Sequence, residues 1–166
     1  MGIVDHDKIE LSNLSRQILF TKKDIGKYKV LISKKAVKRI NKKIKVKIFT
    51  KRLDTSNIGK ILRNYNIICD GTDNFKSRLL INDYCVKNKK ILVVGAISKF
   101  DGQIYTFNFS NKKSPCLRCF MPQMPNNALN NCEYDGVLGP LAGIVGSVQA
   151  NEIIKEILKI GDSLCG

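Results

Sequence analysis

The 166-residue chain contains 43% hydrophobic and 26% charged residues, which suits one globular domain with a substantial core and argues against disorder. Its formal net charge is +15, but only six of its 29 basic residues are arginine and few aromatic residues lie among the lysines, so the composition disfavours nucleic acid as the partner. Without a membrane-spanning apolar run, a signal peptide or a secreted pattern of cysteines, the protein is expected in a reducing compartment, either the cytoplasm or a plastid stroma.

Strand and helix patterns alternate through the first half of the chain. Ile3 and Val4 form the end of a strand, and apolar residues recur at helical spacing in the segment that follows. The same alternation then repeats twice. The predicted elements are a helix over 27–41, a strand over 46–50, a helix over 56–64, a strand over 67–70 and a helix over 74–88.

The second half begins with a continuously apolar strand over 91–97, as expected of a buried parallel strand. A turn at 100–102 leads into residues 103–109, whose period-two alternation predicts an antiparallel strand. Residues 111–135 are polar and contain cysteines, which predicts a long loop, and loops of this length tend to be either functional or disordered. A helix over 136–160 closes the chain, and its predicted buried stripe consists of Ile144, Val145, Val148, Ile153, Ile154, Ile157 and Leu158.

This order of elements predicts an α/β fold for a single domain over residues 1–166. We expect a Rossmann-like, mostly parallel sheet with helices on both faces, antiparallel edge strands and a long cysteine-bearing crossover loop. Ligands of such sheets bind beyond the carboxyl ends of the strands. Asp5 and Asp73 follow two of the predicted strands, so both carboxylates are candidates for a ligand site.

Asp5 is placed to accept hydrogen bonds from ribose hydroxyls, as an acid at the end of a strand does in dinucleotide-binding folds. The alternative is an ordinary turn carboxylate. The neighbouring run Ser12-Asn13-Leu14-Ser15-Arg16 favours the ligand interpretation, because a planar guanidinium binds phosphate oxygens well. The acids would suit ribose and magnesium, and the bases would suit phosphate.

The chain contains several short motifs that belong together. They are Asp5-His6-Asp7, Ser12-Asn13-Leu14-Ser15-Arg16-Gln17, Gly26-Lys27-Tyr28-Lys29, Asp70-Gly71-Thr72-Asp73-Asn74, Cys116-Leu117-Arg118-Cys119 and Cys132. Together they resemble the MoeB/ThiF/HesA family of ATP-dependent activators of ubiquitin-like sulfur carriers, and the resemblance covers nearly the whole chain. No G-x-G-x-x-G motif is present, and Met1 falls just after the place where the family's glycine-rich phosphate turn ends, so we expect an N-terminally truncated member of the fold.

The resemblance implies ATP and magnesium as cofactors and gives roles to individual residues. Arg16 would bind phosphate oxygens, and Ser12 and Asn13 belong to the same nucleotide-binding run. Lys29 would neutralise the α-phosphate as pyrophosphate leaves, although a chain rich in lysine matches this motif easily by chance. Asp73 would hold magnesium.

Asn74 follows the proposed magnesium ligand and would contact the nucleotide while capping the next helix. A plain N-terminal cap at this point of the chain is the alternative interpretation. The two roles are compatible, because a capping side chain at the end of a parallel strand also lies where ligands bind.

The cysteines suggest two further roles. Cys116 and Cys119 have the spacing of zinc ligands, but a structural zinc site needs four, and the family's second pair lies in a region that this chain lacks. A redox-active pair is the alternative, disfavoured because the two residues are expected in a loop and not at the start of a helix. Cys132 resembles the crossover-loop cysteine that attacks the activated carrier; a free surface thiol is the alternative.

The function that the resemblance implies is adenylylation of the C-terminal glycine of a sulfur carrier in molybdopterin, thiamine or tRNA-thiolation chemistry. The implied partners are the carrier, a second copy of the chain in a homodimer and a sulfurtransferase, without membrane or nucleic acid. One alternative is a non-catalytic remnant that binds the carrier or dimerises. A basic RNA-binding domain is the other, and it requires salt-sensitive affinity for RNA.

Overall fold

The computed structural model describes residues 1–111, 114–122 and 136–165. Cys132, the predicted nucleophile of the crossover loop, lies outside the described residues. The chain forms two compact units, Met1–Leu53 and Asp54–Gly166. The expectation of one domain over residues 1–166 therefore stays a prediction, and the units are described separately.

The first unit contains a short parallel strand pair and one helix. Strand β1 (Gly2–Val4) pairs with β2 (Lys47–Phe49), and helix α1 (Lys29–Ile40) connects them as a crossover. Short 3-10 helices occupy Leu11–Ser15 and Lys22–Asp24. The buried apolar side chains of the unit are Ile9, Val30, Ile32 and Val46.

The second unit contains a three-stranded sheet. Strand β3 (Ile67–Asp70) runs parallel to β4 (Ile91–Ser98), and β5 (Asp101–Asn108) is antiparallel to β4. These pairings confirm both the α/β alternation and the antiparallel strand that the sequence predicts. The helices are α2 (Ile58–Leu62), α3 (Phe75–Lys87), α4 (Leu117–Phe120) and α5 (Gly139–Leu158).

The predicted buried stripe of α5 is partly wrong. Val145 is buried, but the side chains of Gln149 and Glu152 share its helix face and are buried with it. Polar groups occupy this face because they satisfy hydrogen-bonding groups of the sheet and of the chain after α5, which an apolar side chain cannot do. The predicted stripe residues that are exposed are Ile144, Ile154, Ile157 and Leu158. Among the described residues, no helix combines the length and apolar character that crossing a membrane requires.

Glu152 links α5 to β5 and to the chain segment that follows the helix. Only 1% of the residue is exposed, and its carboxylate accepts hydrogen bonds from Thr106 Oγ1 at 3.3 Å and from the Leu164 N–H at 3.1 Å. Lys155 Nζ lies 2.5 Å from the other oxygen. Burial alone would raise the pKa of Glu152, but these hydrogen bonds and the lysine charge outweigh it and hold the pKa below its ordinary value.

Replacing Glu152 with glutamine is expected to lower the free energy of unfolding at pH 7 by about 1–3 kcal/mol, because buried hydrogen bonds to a charged acceptor are weakened. A carboxylate with a lowered pKa stabilises the fold above its unfolded-state pKa and loses that contribution as the pH falls through the folded-state pKa. The difference in free energy of unfolding between the parent and the Glu152→Gln variant should therefore become smaller at acidic pH. Urea unfolding at pH 7 and at acidic pH measures this, and the exposed Asp162→Asn substitution is the control. A deficit that is equal at both pH values contradicts the explanation.

Candidate functional site

The first unit places an acidic group directly after β1. The Asp5 N–H donates to the carbonyl of Phe49 at 3.1 Å, which continues the strand pairing by one residue. Its carboxylate accepts the Asp7 N–H at 2.8 Å and so folds the chain into a turn. Burial raises the pKa of Asp5, against the opposing effects of the Asp7 N–H and the charge of Lys29. A half-buried carboxylate at a strand end is thus held ready to accept hydrogen bonds.

Lys29 is the first residue of α1, and both its backbone and its side chain contact Asp7 in this turn. Its N–H donates to the Asp7 carbonyl at 3.0 Å, and its Nζ lies 3.0 Å from Asp7 Oδ2. The Lys29 side chain is 13% exposed and the Asp7 side chain 47%. The structure therefore brings together two residues of the predicted site, Asp5 and Lys29, and adds Asp7, which had no role of its own in the prediction.

The same turn has the ligand types of a cation site. One potential ligand atom each from Asp5, His6 and Asp7 lies within 4.8 Å of the others. His6 Nε2 is 3.4 Å from Asp7 Oδ1. Lys29 competes with any cation here, since its ammonium already pairs with Asp7.

The predicted run 12–16 forms the 3-10 helix Leu11–Ser15 and the residue that ends it. Asn13 is buried, and its Oδ1 accepts the Glu10 N–H at 3.1 Å, which fixes the start of this helix. Arg16 is half-buried, and its Nη1 lies 3.4 Å from the Ser12 carbonyl, which leaves most of the guanidinium's five donors for other acceptors. Ser12 is exposed. The nucleotide contacts predicted for these residues stay predictions.

Asp5 provides a stability test of this turn. A carboxyl group with a raised folded-state pKa contributes stability below its unfolded-state pKa, which is lost as the pH rises through the folded-state value. Asparagine does not ionise, so the Asp5→Asn variant does not lose this stability at neutral pH. The substitution also keeps an oxygen for the Asp7 N–H. We expect the variant to be more stable than the parent at pH 7 and indistinguishable from it near pH 3, measured by thermal unfolding. Destabilisation at pH 7 would show that the charged carboxylate supports the fold.

The second unit carries the other acidic group. Asp73 is exposed in the loop between β3 and α3, and the Asn74 Nδ2 donates to its Oδ1 at 3.2 Å. Asn74 Oδ1 accepts the Ser77 N–H at 2.9 Å, so the predicted helix cap is confirmed. The carboxylate of Asp73 is accessible, and carboxylate oxygens are ligands that magnesium accepts.

A buried ion pair that was not predicted from the sequence lies beneath this loop. Asp70 is 1% exposed and its Oδ2 accepts the Arg78 Nε–H at 3.4 Å. Arg78 also donates to the carbonyls of Thr72 and Gly95. The sequence gives one indication of the position of Arg78. Arg78 follows the capping residue Asn74 by four positions, so it lies one helical turn into α3 on the same face as the cap.

The two cysteines of the CxxC motif lie together at the surface. Cys116 Sγ and Cys119 Sγ are 3.8 Å apart, and two thiolates on one tetrahedral zinc lie about 3.8 Å apart, because each Zn–S bond is about 2.3 Å. Cys116 caps the four-residue helix α4, so the prediction that the pair sits in a loop, away from a helix start, is wrong. A redox pair stays disfavoured, because this helix has only four residues and does not directly follow a strand, so it stabilises a thiolate little.

Helix α3 holds the residues between these cysteines. The buried Asn82 accepts the Leu117 N–H at 3.0 Å. Asp83 accepts two hydrogen bonds from the Arg118 guanidinium, at 2.8 and 2.7 Å. Those bonds from Arg118 keep the pKa of Asp83 below its ordinary value. These contacts attach the two residues between the cysteines to α3.

Sequence comparison relates the chain to one protein family and to named adenylyltransferases. The model of the ThiF family matches residues 1–166. A probable molybdopterin-synthase adenylyltransferase of Porphyra purpurea is 47% identical over 168 residues, which are all of this chain and 44% of that protein. The sulfur carrier protein adenylyltransferase of Thermus thermophilus is 40% identical over 170 residues, again all of this chain and 63% of the relative.

Solved structures agree on the fold. E. coli MccB, crystallised with ATP, superposes with a TM-score of 0.76 at 23% sequence identity, covering 98% of this chain and 50% of MccB. The Rossmann-like α/β class predicted from the sequence is thereby confirmed. The chain spans about half the length of this structure and less than two thirds of the relatives it matches.

Proposed function

Because the chain belongs to the ThiF family, we propose that it adenylylates the C-terminal glycine of a ubiquitin-like sulfur-carrier protein with ATP. The observation that carries the proposal is the pairing of Lys29 with Asp7 beside Asp5, at the carboxyl end of β1. This places a lysine and two carboxylates at the end of a parallel strand, where nucleotides bind in α/β folds. The adenylyltransferase names of the relatives support the reaction type.

In the proposed reaction, a carboxylate oxygen of the carrier's terminal glycine attacks the α-phosphorus of ATP. A P–O bond forms, the bond to the β-phosphate breaks, and the products are an acyl adenylate and pyrophosphate. The attack joins an anion to an already anionic phosphate, so the main task of the protein is to position both groups and neutralise charge. Residues with fixed positive charge are therefore the ones expected to control the rate.

Each predicted residue has a part in this scheme. Asp5 accepts hydrogen bonds from ribose hydroxyls, Arg16 binds phosphate oxygens, and Lys29 leaves Asp7 to neutralise the α-phosphate. Asp7 holds the ammonium near its working position before ATP arrives. Magnesium, when bound, shields phosphate charge, and the exposed carboxylate of Asp73 is its proposed protein ligand.

Ser12, Asn13 and Asn74 complete the proposed contacts to the nucleotide. Ser12 and Asn13 lie on the 3-10 helix that precedes Arg16, and the exposed Ser12 is accessible for such a contact. Asn74 caps α3 beside Asp73, where its amide can contact the nucleotide while its oxygen keeps the cap.

Zinc fits the geometry of Cys116 and Cys119 but needs two ligands besides them. When bound, zinc would stabilise the α4 segment without entering the chemistry. Cys132 is proposed as the nucleophile of the next step: its thiolate would attack the carbonyl carbon of the activated glycine, forming a thioester and releasing AMP. A homodimer, a sulfurtransferase partner and the molybdopterin, thiamine or tRNA-thiolation pathways remain proposals of the same kind.

The direct test is to incubate the purified chain with ATP, magnesium and a sulfur carrier, and to measure the intact mass of the carrier. The expected product is carrier bearing one adenylyl group, and it should be absent when the carrier lacks its terminal glycine. Carrier that binds the chain but is never adenylylated would support the non-catalytic alternative. Salt-sensitive RNA binding that ATP does not compete would support the RNA-binding alternative.

A further inference from the structure

Arg78 connects three parts of the second unit at the base of the loop formed by residues 71–74. Its guanidinium donates to Asp70 Oδ2 at the end of β3, to the Thr72 carbonyl within the loop, and to the Gly95 carbonyl of β4 at 3.2 Å. Arg78 is 8% exposed. We propose that it is a positioning residue, which fixes the direction of Asp73 by holding the loop to both strands.

Further contacts hold the same loop on either side of Asp73. The Thr72 N–H donates to Asp70 Oδ1 at 2.8 Å, and the Asn74 side chain caps α3 and donates to Asp73 Oδ1 at 3.2 Å. Asp73 is exposed and lies between Thr72 and Asn74. Arg78 holds the Thr72 carbonyl, so it fixes the backbone on the N-terminal side of Asp73.

The choice of arginine supports a positioning role over simple filling of the core. Burying a guanidinium and a carboxylate costs desolvation energy, which an apolar pair of similar volume would avoid. The planar group with five donors can serve Asp70, Thr72 and Gly95 at once, whereas a lysine ammonium cannot span the three acceptors in the same geometry. An arginine that holds three acceptors in fixed positions is expected where the geometry of a neighbouring site must be maintained.

This inference rests on the proposed function only for the role of Asp73 as a magnesium ligand. Its first test therefore requires no measurement of enzymatic activity. Amide hydrogen exchange of residues 71–74 is compared between the parent chain, the Arg78→Lys variant and an Arg63→Lys control, which alters an exposed arginine of the same unit. We expect faster exchange in the loop for Arg78→Lys alone, with the strand amides of β4 unchanged. Unchanged exchange in the loop overturns the proposal.

If the Arg78→Lys variant does not fold, Asp70→Asn replaces it. This change keeps the guanidinium, the shape of its partner and an oxygen for the Thr72 N–H, but removes the negative charge that pairs with Arg78. The same acceleration of exchange in residues 71–74 is expected, and its absence in a folded Asp70→Asn variant equally overturns the proposal.

The second test measures carrier-dependent ATP–pyrophosphate exchange in a double-mutant cycle. Arg78→Lys should lower the rate by about 10- to 100-fold and raise the magnesium concentration needed for half-maximal rate, with the KM for the carrier unchanged. In an Asp73→Asn background the same substitution should change the rate by less than about twofold, since its effect passes through Asp73. A full effect in that background overturns the proposal. Absence of exchange in the parent chain would refute the proposed function, while the hydrogen-exchange result still decides the role of Arg78.

Discussion

Replacing Lys29 with alanine is expected to lower the rate of carrier-dependent ATP–pyrophosphate exchange by about 10²- to 10³-fold, the usual loss when one group that stabilises developing charge is removed. The ammonium is largely shielded from water, with 13% of the side chain exposed, so its interaction with phosphate is weakly screened. Its present partner, Asp7, is half-exposed and can be solvated once the lysine is gone. The fold should therefore survive the change.

The matched control is Lys35→Ala, which removes the same charge from the exposed surface of α1. Its exchange rate should remain within about twofold of the parent, because surface charges distant from a ligand are screened by salt. Thermal unfolding of both variants checks that the helix is intact. Equal losses in the two variants would mean that total positive charge, and not the position of Lys29, supports the reaction.

Replacing Gly95 with alanine is expected to lower the free energy of unfolding by about 2–4 kcal/mol, through overpacking and the loss of buried hydrogen bonds. A Cβ at this position would lie 2.8 Å from Gln149 Nε2 and would overlap the rest of that amide. The amide cannot simply move aside. Its Nε2 donates to the Asp70 carbonyl at 2.9 Å and lies 3.4 Å from the carbonyl of Val93.

Urea unfolding of the Gly95→Ala variant measures the loss, and Gly143→Ala is its matched control. Gly143 lies in α5 with open space where its Cβ would be. Alanine is favoured over glycine inside a helix by about 1 kcal/mol, so the control should be slightly stabilised. If Gly95→Ala unfolds at the same urea concentration as the parent, α5 does not pack on the sheet as described.

The order of elements could be predicted from the sequence because the elements have recognisable local patterns of apolar residues. The continuous apolar run of β4, the alternation in β5 and the helical spacing in α1 each depend on local residues alone. The face of α5 that packs on the sheet could not be predicted in this way. Gln149 and Glu152 occupy buried positions because of acceptors and donors elsewhere in the chain, which hydrophobic periodicity does not report.

The candidate site was predictable in part. Strand ends identified Asp5 and Asp73, and a motif identified Lys29, but the ion pair of Lys29 with Asp7 joins residues 22 positions apart. Arg78 was missed for a similar reason: its acceptors include a carbonyl of β4, 17 residues away in sequence. Contacts of this kind follow from the tertiary fold, so only the structure shows them.

The proposed enzymatic role is tested most directly by one measurement on the unmodified chain. Labelled pyrophosphate is incubated with the protein, ATP, magnesium and a sulfur carrier, and label recovered in ATP is counted. Formation of an acyl adenylate is reversible, so we predict that label enters ATP only when a carrier with its terminal glycine is present. A folded chain that binds the carrier yet returns no label to ATP would contradict adenylylation by this protein.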